Sequence, residues 1–447
     1  MRTTGGTRAP GLLTALAMLC AARADAATLT ADDAVRIALK HNSQIINAEA
    51  GILNAKGGLY GAYGSLLPSL SGAYSYSPSK TTNSQSSQYI GTQLIPSPTT
   101  DVRSRRTGSS VSSSWGILDL SNWAGLNAAR QGLKASRLSR DATRNDVVLA
   151  TRRQFYGVVQ AIKLAQVAEG ALKLASDDER RVKAMFEVGS VSKSDLLKAQ
   201  VRTAQSEFDQ LSANHTVIVQ RVALASQMGV RESDLGEVDT LLAATPQTYD
   251  EAALIAEAAK NRPDLIAADA ELKSAQASHA AARMGRLPYV SLSGSAGFNT
   301  NSRADFLATG VSSRSKSDVS LGGTVSLNWD LFDLARVDAG IASARARLER
   351  ARDASAALHR NLASEVHEAL LAYNEAIEQN RVAERGQESA IENLKLTQEK
   401  YNVGSATILE LIDAQVQLQT AQSNLVKALA AIRVAEAQIN RVRGHSE

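Results

Sequence analysis

A single cysteine, eight prolines and no long apolar run are the first features of this 447-residue chain, and each shortage excludes something. Cys20 stands in a segment that reads as an export leader, so the mature chain has no disulfide, no thiolate metal site and no cysteine nucleophile. No segment reaches the roughly 18 uninterrupted apolar residues of a membrane helix, which leaves an exported chain in the periplasm, in the medium, or in a membrane as a β-barrel. Charge is nearly balanced, with 49 Lys and Arg against 45 Asp and Glu; losing Arg2, Arg8, Arg23 and Asp25 with the leader takes the formal value from +4 to +2. Neither a nucleic-acid footprint nor a strongly acidic partner surface follows from that. P-loop, H-E-x-x-H, G-x-S-x-G and EF-hand patterns are missing, and His359 and His367 have no clustered partner. The expectation is a protein that is not an enzyme and holds no cofactor and no metal.

The leader itself is specific. Residues 1–26 combine a basic start at Arg2 and Arg8, an apolar core from Gly11 to Ala22 too short to span a bilayer, and Ala24-Asp25-Ala26 as an A-x-A site with cleavage between Ala26 and Ala27. Leu19, just before Cys20, is bulky where lipoprotein processing takes a small residue.

Two stretches, "MFEVGSVSKSDLLKAQV" at 185–201 and "KYNVGSATILELIDAQV" at 400–416, align with Phe186 on Tyr401, an offset of 215. Trp115 with Leu118-Asp119-Leu120 matches Trp329 with Phe332-Asp333-Leu334 at 214, and Leu67-Pro68 matches Leu287-Pro288 at 220. A near-constant offset predicts an internal duplication: a first repeat over 27–245 and a second over 246–447, each with a helix, two strands and a long helical hairpin. The prolines, at 10, 68, 78, 96, 98, 246, 263 and 288, leave 99–245 and 289–447 free of the strongest helix breaker. From Asp119 to Glu187 and from Asp333 to Asn402 the composition predicts unbroken helices of about 100 Å, ended by the Val-Gly-Ser turns at 188–190 and 403–405. The helices that return keep a seven-residue period: Leu411, Leu418, Leu425, Ile432 and Ile439 with Ala414, Ala421, Ala428 and Ala435, and in the first half Leu197, Ala204, Leu211, Ile218 and Ala225 with Val201, Phe208, His215 and Val222. His215 on that row reads as a packed histidine, not a ligand.

Four other segments have period two, at about 65–77, 105–118, 287–299 and 317–332. In "SLSGAYSYS" Leu70, Gly72, Tyr74 and Tyr76 take one face and serines the other; in "VSLGGTVSLNWDL" Val319, Leu321, Val325, Leu327 and Trp329 do the same. Each is about the length of a membrane-spanning β-strand, apolar toward lipid and small-polar toward a lumen. Trp115, Trp123 and Trp329 sit at or just past the strand-to-helix junctions, where a membrane interface holds tryptophan. The stretches 78–102 and 299–318 read as polar surface loops. Four strands cannot close a barrel, and open edges are not permitted in lipid, so the chain is expected to oligomerise; three copies give about twelve strands.

Signal, doubled architecture, "LLP" and "RLP" before the first strand of each half, "WGILDL" and "WDLFDL" after the second, and "YNVGSATILELIDAQ" together resemble the TolC-like outer-membrane factors, the outer membrane efflux protein family. The likeness spans essentially the whole mature chain. It implies a mainly α fold with a β-barrel: a homotrimer whose twelve-stranded outer-membrane barrel, four strands per chain, continues into a long periplasmic α-helical barrel. It implies the exit duct of a tripartite efflux pump or type I secretion system, opened by a periplasmic adaptor (membrane fusion) protein and an inner-membrane pump of RND, ABC or MFS type, with outer-membrane lipid around the barrel and no nucleic acid. By position, Glu410 and Asp413 fall on an acidic ring at the periplasmic gate, and Tyr401, Asp195 and Ser194 on inter-hairpin contacts. Val188, Gly189, Ser190, Val403, Gly404 and Ser405 fall on the tips that dock the adaptor, and Ala406 stands where the latch carries an arginine. A stand-alone outer-membrane diffusion pore and a soluble periplasmic coiled-coil scaffold are the alternatives. The leader makes one direct prediction: amino-terminal sequencing of the exported protein finds Ala27 first, with no lipid on Cys20.

Overall fold

The structure, a computed structural model, describes residues 28–83, 88–95, 100–242, 246–307, 310–331 and 335–444. The leader with its expected cleavage site at Ala26 and Ala27, and Phe332-Asp333-Leu334, lie outside them. In chain order come α1 (Ala31–His41), α2 (Ser43–Gly64), β1 (Ser69–Asn83), β2 (Gln88–Ile90), β3 (Gln93–Ile95), β4 (Thr100–Leu118), α3 (Leu120–Glu187) and α4 (Lys193–Met228). The sequence of elements then recurs as α5 (Glu251–Asn261), α6 (Pro263–Met284), β5 (Tyr289–Leu307), β6 (Gly310–Asn328), α7 (Arg336–Asn402) and α8 (Ile408–Arg443). Lengths match pairwise: α1 and α5 have 11 residues, α2 and α6 have 22, α4 and α8 have 36, and α3 and α7 have 68 and 67.

Helices of this length cannot wrap a globular core, so they bury narrow seams against one another. The return helices reach only halfway up α3 and α7. Along its other half α3 packs against α2 and α6, with Ala48, Gly51, Ala135, Ala267 and Ala268 at the approach. Where the two tiers meet, each repeat builds a core at equivalent positions. Val147, Val158 and Leu224 pack with Ala34, Ala38 and Ile45 in one. Leu362, Tyr373 and Ile439 pack with Leu254, Ala258 and Leu265 in the other.

The same place shows why α4 and α8 stop. Each ends on a left-handed glycine, Gly229 (φ 71°) and Gly444 (φ 81°), which L-residues with a Cβ adopt only under strain. Each glycine also lies flat against the end of a short helix: a Cβ on Gly229 collides with the His41 carbonyl of α1, and one on Gly444 with the Asn261 carbonyl of α5. Asn42 then caps α2 through Gln44 N–H and donates to the Gln227 carbonyl at 2.7 Å, tying α4 to the α1–α2 corner. At the matching corner Arg262, almost wholly buried, pairs with Asp264 at 2.5 Å and Glu365 at 2.6 Å. Burial alone pushes Asp264 up, but the Arg262 fork and the Leu265 N–H outweigh it and hold the carboxyl below the usual range.

The heptads divide. In α8 the buried side is Leu411, Ala414, Leu418, Ala428, Ile432, Ala435 and Ile439, as the period requires. In α4 the side buried near the tip is instead Ala199, Thr203 and Ser206, and Ala225 of the expected row is buried with Leu224 and Met228 at the other end, whereas Val201, Phe208 and Leu211 are about 70% exposed. Small residues let α3 and α4 approach closely, and the large stripe faces away from the protomer. His215 on that stripe is exposed, so the packed histidine expected from the period is not packed within one chain.

The large sheet is antiparallel in the order β1-β4-β5-β6. Its register puts Leu70, Ser113, Gly294 and Gly323 in one row, Gly72, Val111, Ala296 and Leu321 in the next, and Tyr74, Ser109, Phe298 and Val319 in a third, all on one face. Between these rows the other face carries Ser69, Ser114, Ser293 and Thr324, then Ser71, Ser112, Ser295 and Gly322. One face is thus apolar and open, with Leu321 87% exposed, and the other is hydroxyl-lined. The strands are longer than period two indicated. The stretches 78–102 and 299–318, read as loops, are largely strand: β1 and β4 pair to Asn83 and Thr100, with the small β2–β3 hairpin between them, and β5 and β6 pair to Leu307 and Gly310. Ser, Thr, Arg, Lys and Asp occupy both faces there, so no contrast between faces marks them; ladder hydrogen bonds alone extend the sheet. Pro78 lies on β1, an outer strand of the protomer's own sheet, and beyond its apolar rows, where a rung without an N–H donor can be met by water.

Gly444→Ala is expected to destabilise by more than the about 1–2 kcal/mol of a left-handed alanine, because the Asn261 carbonyl must also move. Gly189→Ala, with nothing within 4 Å, meets the backbone penalty alone. Thermal unfolding followed by helical circular dichroism should rank wild type, then Gly189→Ala, then Gly444→Ala.

Candidate functional site at the hairpin tips

The repeated motif is a complete chemical instruction for reversing a helix. Val-Gly-Ser closes α3 and α7 with a Schellman motif: Ser190 N–H donates to the Met185 carbonyl and Gly189 N–H to Phe186, and Ser405 and Gly404 do the same to Lys400 and Tyr401. Gly189 (φ 78°) and Gly404 (φ 76°) supply the left-handed residue. Two residues after each serine a capping box opens the return helix. Ser192 accepts from Asp195 N–H and donates to its carboxylate at 2.8 Å; Thr407 accepts from Glu410 N–H and donates to its carboxylate at 3.0 Å. Val188 and Val403 are nearly 80% exposed at the apices.

Behind the apices all four long helices meet. Val182, Ala199, Tyr401, Ile408 and Leu411 form a buried cluster, with Ala406 half-buried against it. Ala406 therefore fills an apolar seat where an arginine would have to turn outward. Tyr401 lies in this cluster with its hydroxyl buried and without a hydrogen-bond partner. Burial, then the nearby Asp195 and Asp178 carboxylates, push its phenol above the ordinary value. Tyr401 and Asp195 are thus brought close but are not hydrogen-bonded; the Asp195 carboxylate is held by Ser192 and Lys198. Those contacts, the Ser192 hydroxyl above all, hold the Asp195 carboxyl below the usual range. Ser194 is exposed, with no side-chain partner among the described residues.

Glu410 and Asp413 are exposed and one turn apart on α8, on the stripe beside the buried Leu411 and Ala414. Asp413 accepts from Gln417 at 2.6 Å. Neither carboxylate meets a cation among the described residues.

The most buried polar link between the hairpins was not singled out by the motif. Asp178 on α3, 9% exposed, accepts a short hydrogen bond from Gln415 on α8. Burial pushes the Asp178 pKa up, against the opposing Gln415 bond and Arg181. Arg202 on α4 reaches Gln419 at 2.9 Å, and Arg181 reaches Asn402 at 3.5 Å. A signal existed: Asp178 sits between Ala175 and Val182 on the seam of α3, a carboxylate on an otherwise apolar row.

At the far end, Trp115 donates to the Leu66 carbonyl at 3.0 Å and is 37% exposed, and Trp123 and Trp329 are 58% exposed. Tyr74, Tyr76 and Phe298 lie at the opposite border of the apolar face. The apolar stretch from Val319 to Leu327 is about 26 Å along the strand, about 20 Å of height at a tilt of about 40°, and Trp329 prolongs it toward the roughly 25 Å of an outer-membrane apolar band.

A sheet with one lipid-compatible and one hydroxyl face, mounted on helices of about 100 Å, is the arrangement expected of an outer-membrane channel with a long helical extension. The model of the outer membrane efflux protein family matches residues 34–230 and 254–445, and the chain belongs to that family. It is similar to the outer membrane protein TolC of Vibrio cholerae, 25% identical over 313 residues that cover 69% of this chain and 70% of that one. TolC of Escherichia coli is 21% identical over 335 residues, covering 73% and 67%. Among solved structures, the CmeC outer membrane channel of Campylobacter jejuni matches with a TM-score of 0.76 at 18% identity over 93% of this chain and 85% of that one. Family and fold make this an outer-membrane exit channel.

Asp178 gives a pH prediction. Its folded-state pKa lies above the ordinary 3.8, so the ionised group opposes hairpin packing at neutral pH, and the contact tightens as pH falls through the raised value. Hydrogen exchange, corrected for its intrinsic rate, should show α8 near Gln415 more protected at lower pH. Asp178→Asn should flatten that dependence, and Asp178→Leu should loosen the site by about 1–3 kcal/mol by stranding the Gln415 amide.

Proposed function

We propose that three copies of the chain close one twelve-stranded barrel, β6 of each beside β1 of the next, and that the helices below form a periplasmic tunnel. One observation carries this reading: the sheet ends in two unpaired edges beside an apolar face, a combination that lipid does not tolerate. The outward stripe of α4, with Leu197, Val201, Phe208, Leu211, Ile218 and Val222 all at least half exposed, supports the same partner along the tunnel. A soluble scaffold has no use for the apolar sheet.

The duct is passive, since the chain offers no nucleotide-binding or catalytic pattern, and the energy for export comes from an inner-membrane pump reached through a periplasmic adaptor, as part of an efflux or type I secretion assembly. The tips at Val188-Gly189-Ser190 and Val403-Gly404-Ser405 are the adaptor's docking points. Glu410 and Asp413 form the acidic ring of the gate: on the exposed side of α8, three copies supply six carboxylates around one axis, which attract cations. The closed state is held by the cluster around Tyr401 and by Asp178 with Gln415, more than by a Tyr401–Asp195 hydrogen bond.

Mass measurement on detergent-extracted protein should give a trimer; a folded, lone protomer sinks the shared barrel. Phe208→Asp with Leu211→Asp should leave the protomer helical and abolish the trimer. In planar bilayers, Glu410→Gln with Asp413→Asn should lower cation selectivity and weaken multivalent-cation block. Tyr401→Ala, a cavity costing about 3–5 kcal/mol in a packed site, should raise conductance with little change in selectivity.

A further inference from the structure

Arg106 and Arg314 have no partner among the described residues, and the register places both on the hydroxyl side of the sheet. One row there is Ser77, Arg106, Asn301 and Lys316; the next, further from the helices, is Ser79, Ser104, Arg303 and Arg314. Arg303 and Arg314 are directly opposite each other, a like-charge cross-strand pair that weakens a hairpin by about 0.2–1 kcal/mol. Two carboxylates share this region, and both are already engaged: Asp318 with Lys316 at 3.1 Å, and Asp305 with Arg303 at 2.7 Å. Closer to the helices the same face is neutral: Ala73, Ser110, Gly297 and Ser320, then Ser71, Ser112, Ser295 and Gly322. Charge on this face is thus concentrated at the end away from the helices, and its sign is positive. Arg105, one residue before Arg106, belongs to the opposite face.

We propose that Arg106, Arg303, Arg314 and Lys316 form a basic collar inside the outer mouth of the duct that binds multiply charged oxyanions, such as phosphate-bearing solutes. The inference rests on the closed-barrel reading, with the hydroxyl face turned inward. Three copies bring twelve basic groups against six acidic ones into one ring, and the self-repulsion within each hairpin is relieved when an oxyanion bridges the rows. The uncharged bore below lets such a solute travel without another binding step, so the collar acts at the point of exit.

The test uses purified full-length trimers in planar bilayers, with sodium tripolyphosphate added only on the side of the β-hairpins. At about 0.1 M KCl the wild type should be blocked, and the block should fade toward about 1 M as screening shortens to a few ångströms. Arg106→Ser with Arg314→Ser should raise the half-blocking concentration about tenfold or more. Asp305→Ser with Asp318→Ser, which makes the ring more positive, should lower it, and Arg105→Ser should leave it unchanged. Equal block in all four proteins, or an Arg105→Ser variant that loses block as the collar variant does, overturns the collar while the duct stands. No trimer-sized conductance from the wild type overturns the barrel, and the collar with it.

Discussion

Two strand edges with no partner among the described residues, on β1 and on β6, govern the rest of the molecule. Every backbone amide and carbonyl in a bilayer core must find a partner, and the sheet offers its own only to the inner strands. The edges therefore require further copies, and the copies require surfaces that fit along the whole length. This accounts for the small residues between α3 and α4: they free the larger side chains of α4 to face outward. A stripe of Leu, Val, Phe and Ile left bare would otherwise be a liability.

The doubling of the chain works through the same few local devices used twice. Each long helix ends in a Schellman glycine, each return helix begins in a capping box, and each return helix ends on a glycine seated against the carbonyl end of a short helix. The repeats diverge where they touch each other. Asp178 in the first meets Gln415 in the second, and the Asn42 corner of one becomes the Arg262 ion cluster of the other.

Much of this was legible in the residues. The long helices follow from the absence of proline, and the strand faces from period two, because a buried or lipid-facing side leaves a compositional trace. The strand extensions beyond the apolar band left none: at Arg103, Arg105 and Arg106 neither side of the sheet is dry, so composition cannot tell strand from loop. The tip turns were readable to the residue, since a left-handed glycine and a cap are local. Asp178 with Gln415 was harder, because a contact between residues 237 positions apart depends on how two hairpins are rotated, which no local rule sets. The motif likewise brought Tyr401 and Asp195 together but could not show that the Asp195 carboxylate is bonded to Ser192 and Lys198 and not to the phenol.

The long helices α3 and α7 run through both tiers without a break, whereas α4 and α8 end at the glycine seats. Below the seats each return helix pairs with its long helix as a two-helix arm. An arm of 36 residues is about 54 Å long, so a swing of about 5° moves its tip by about 5 Å. On the proposed reading, leverage of this kind would let a partner that grips only the tips widen the far end of the tube by a water molecule's diameter or more, with little displacement of the sheet at the other end.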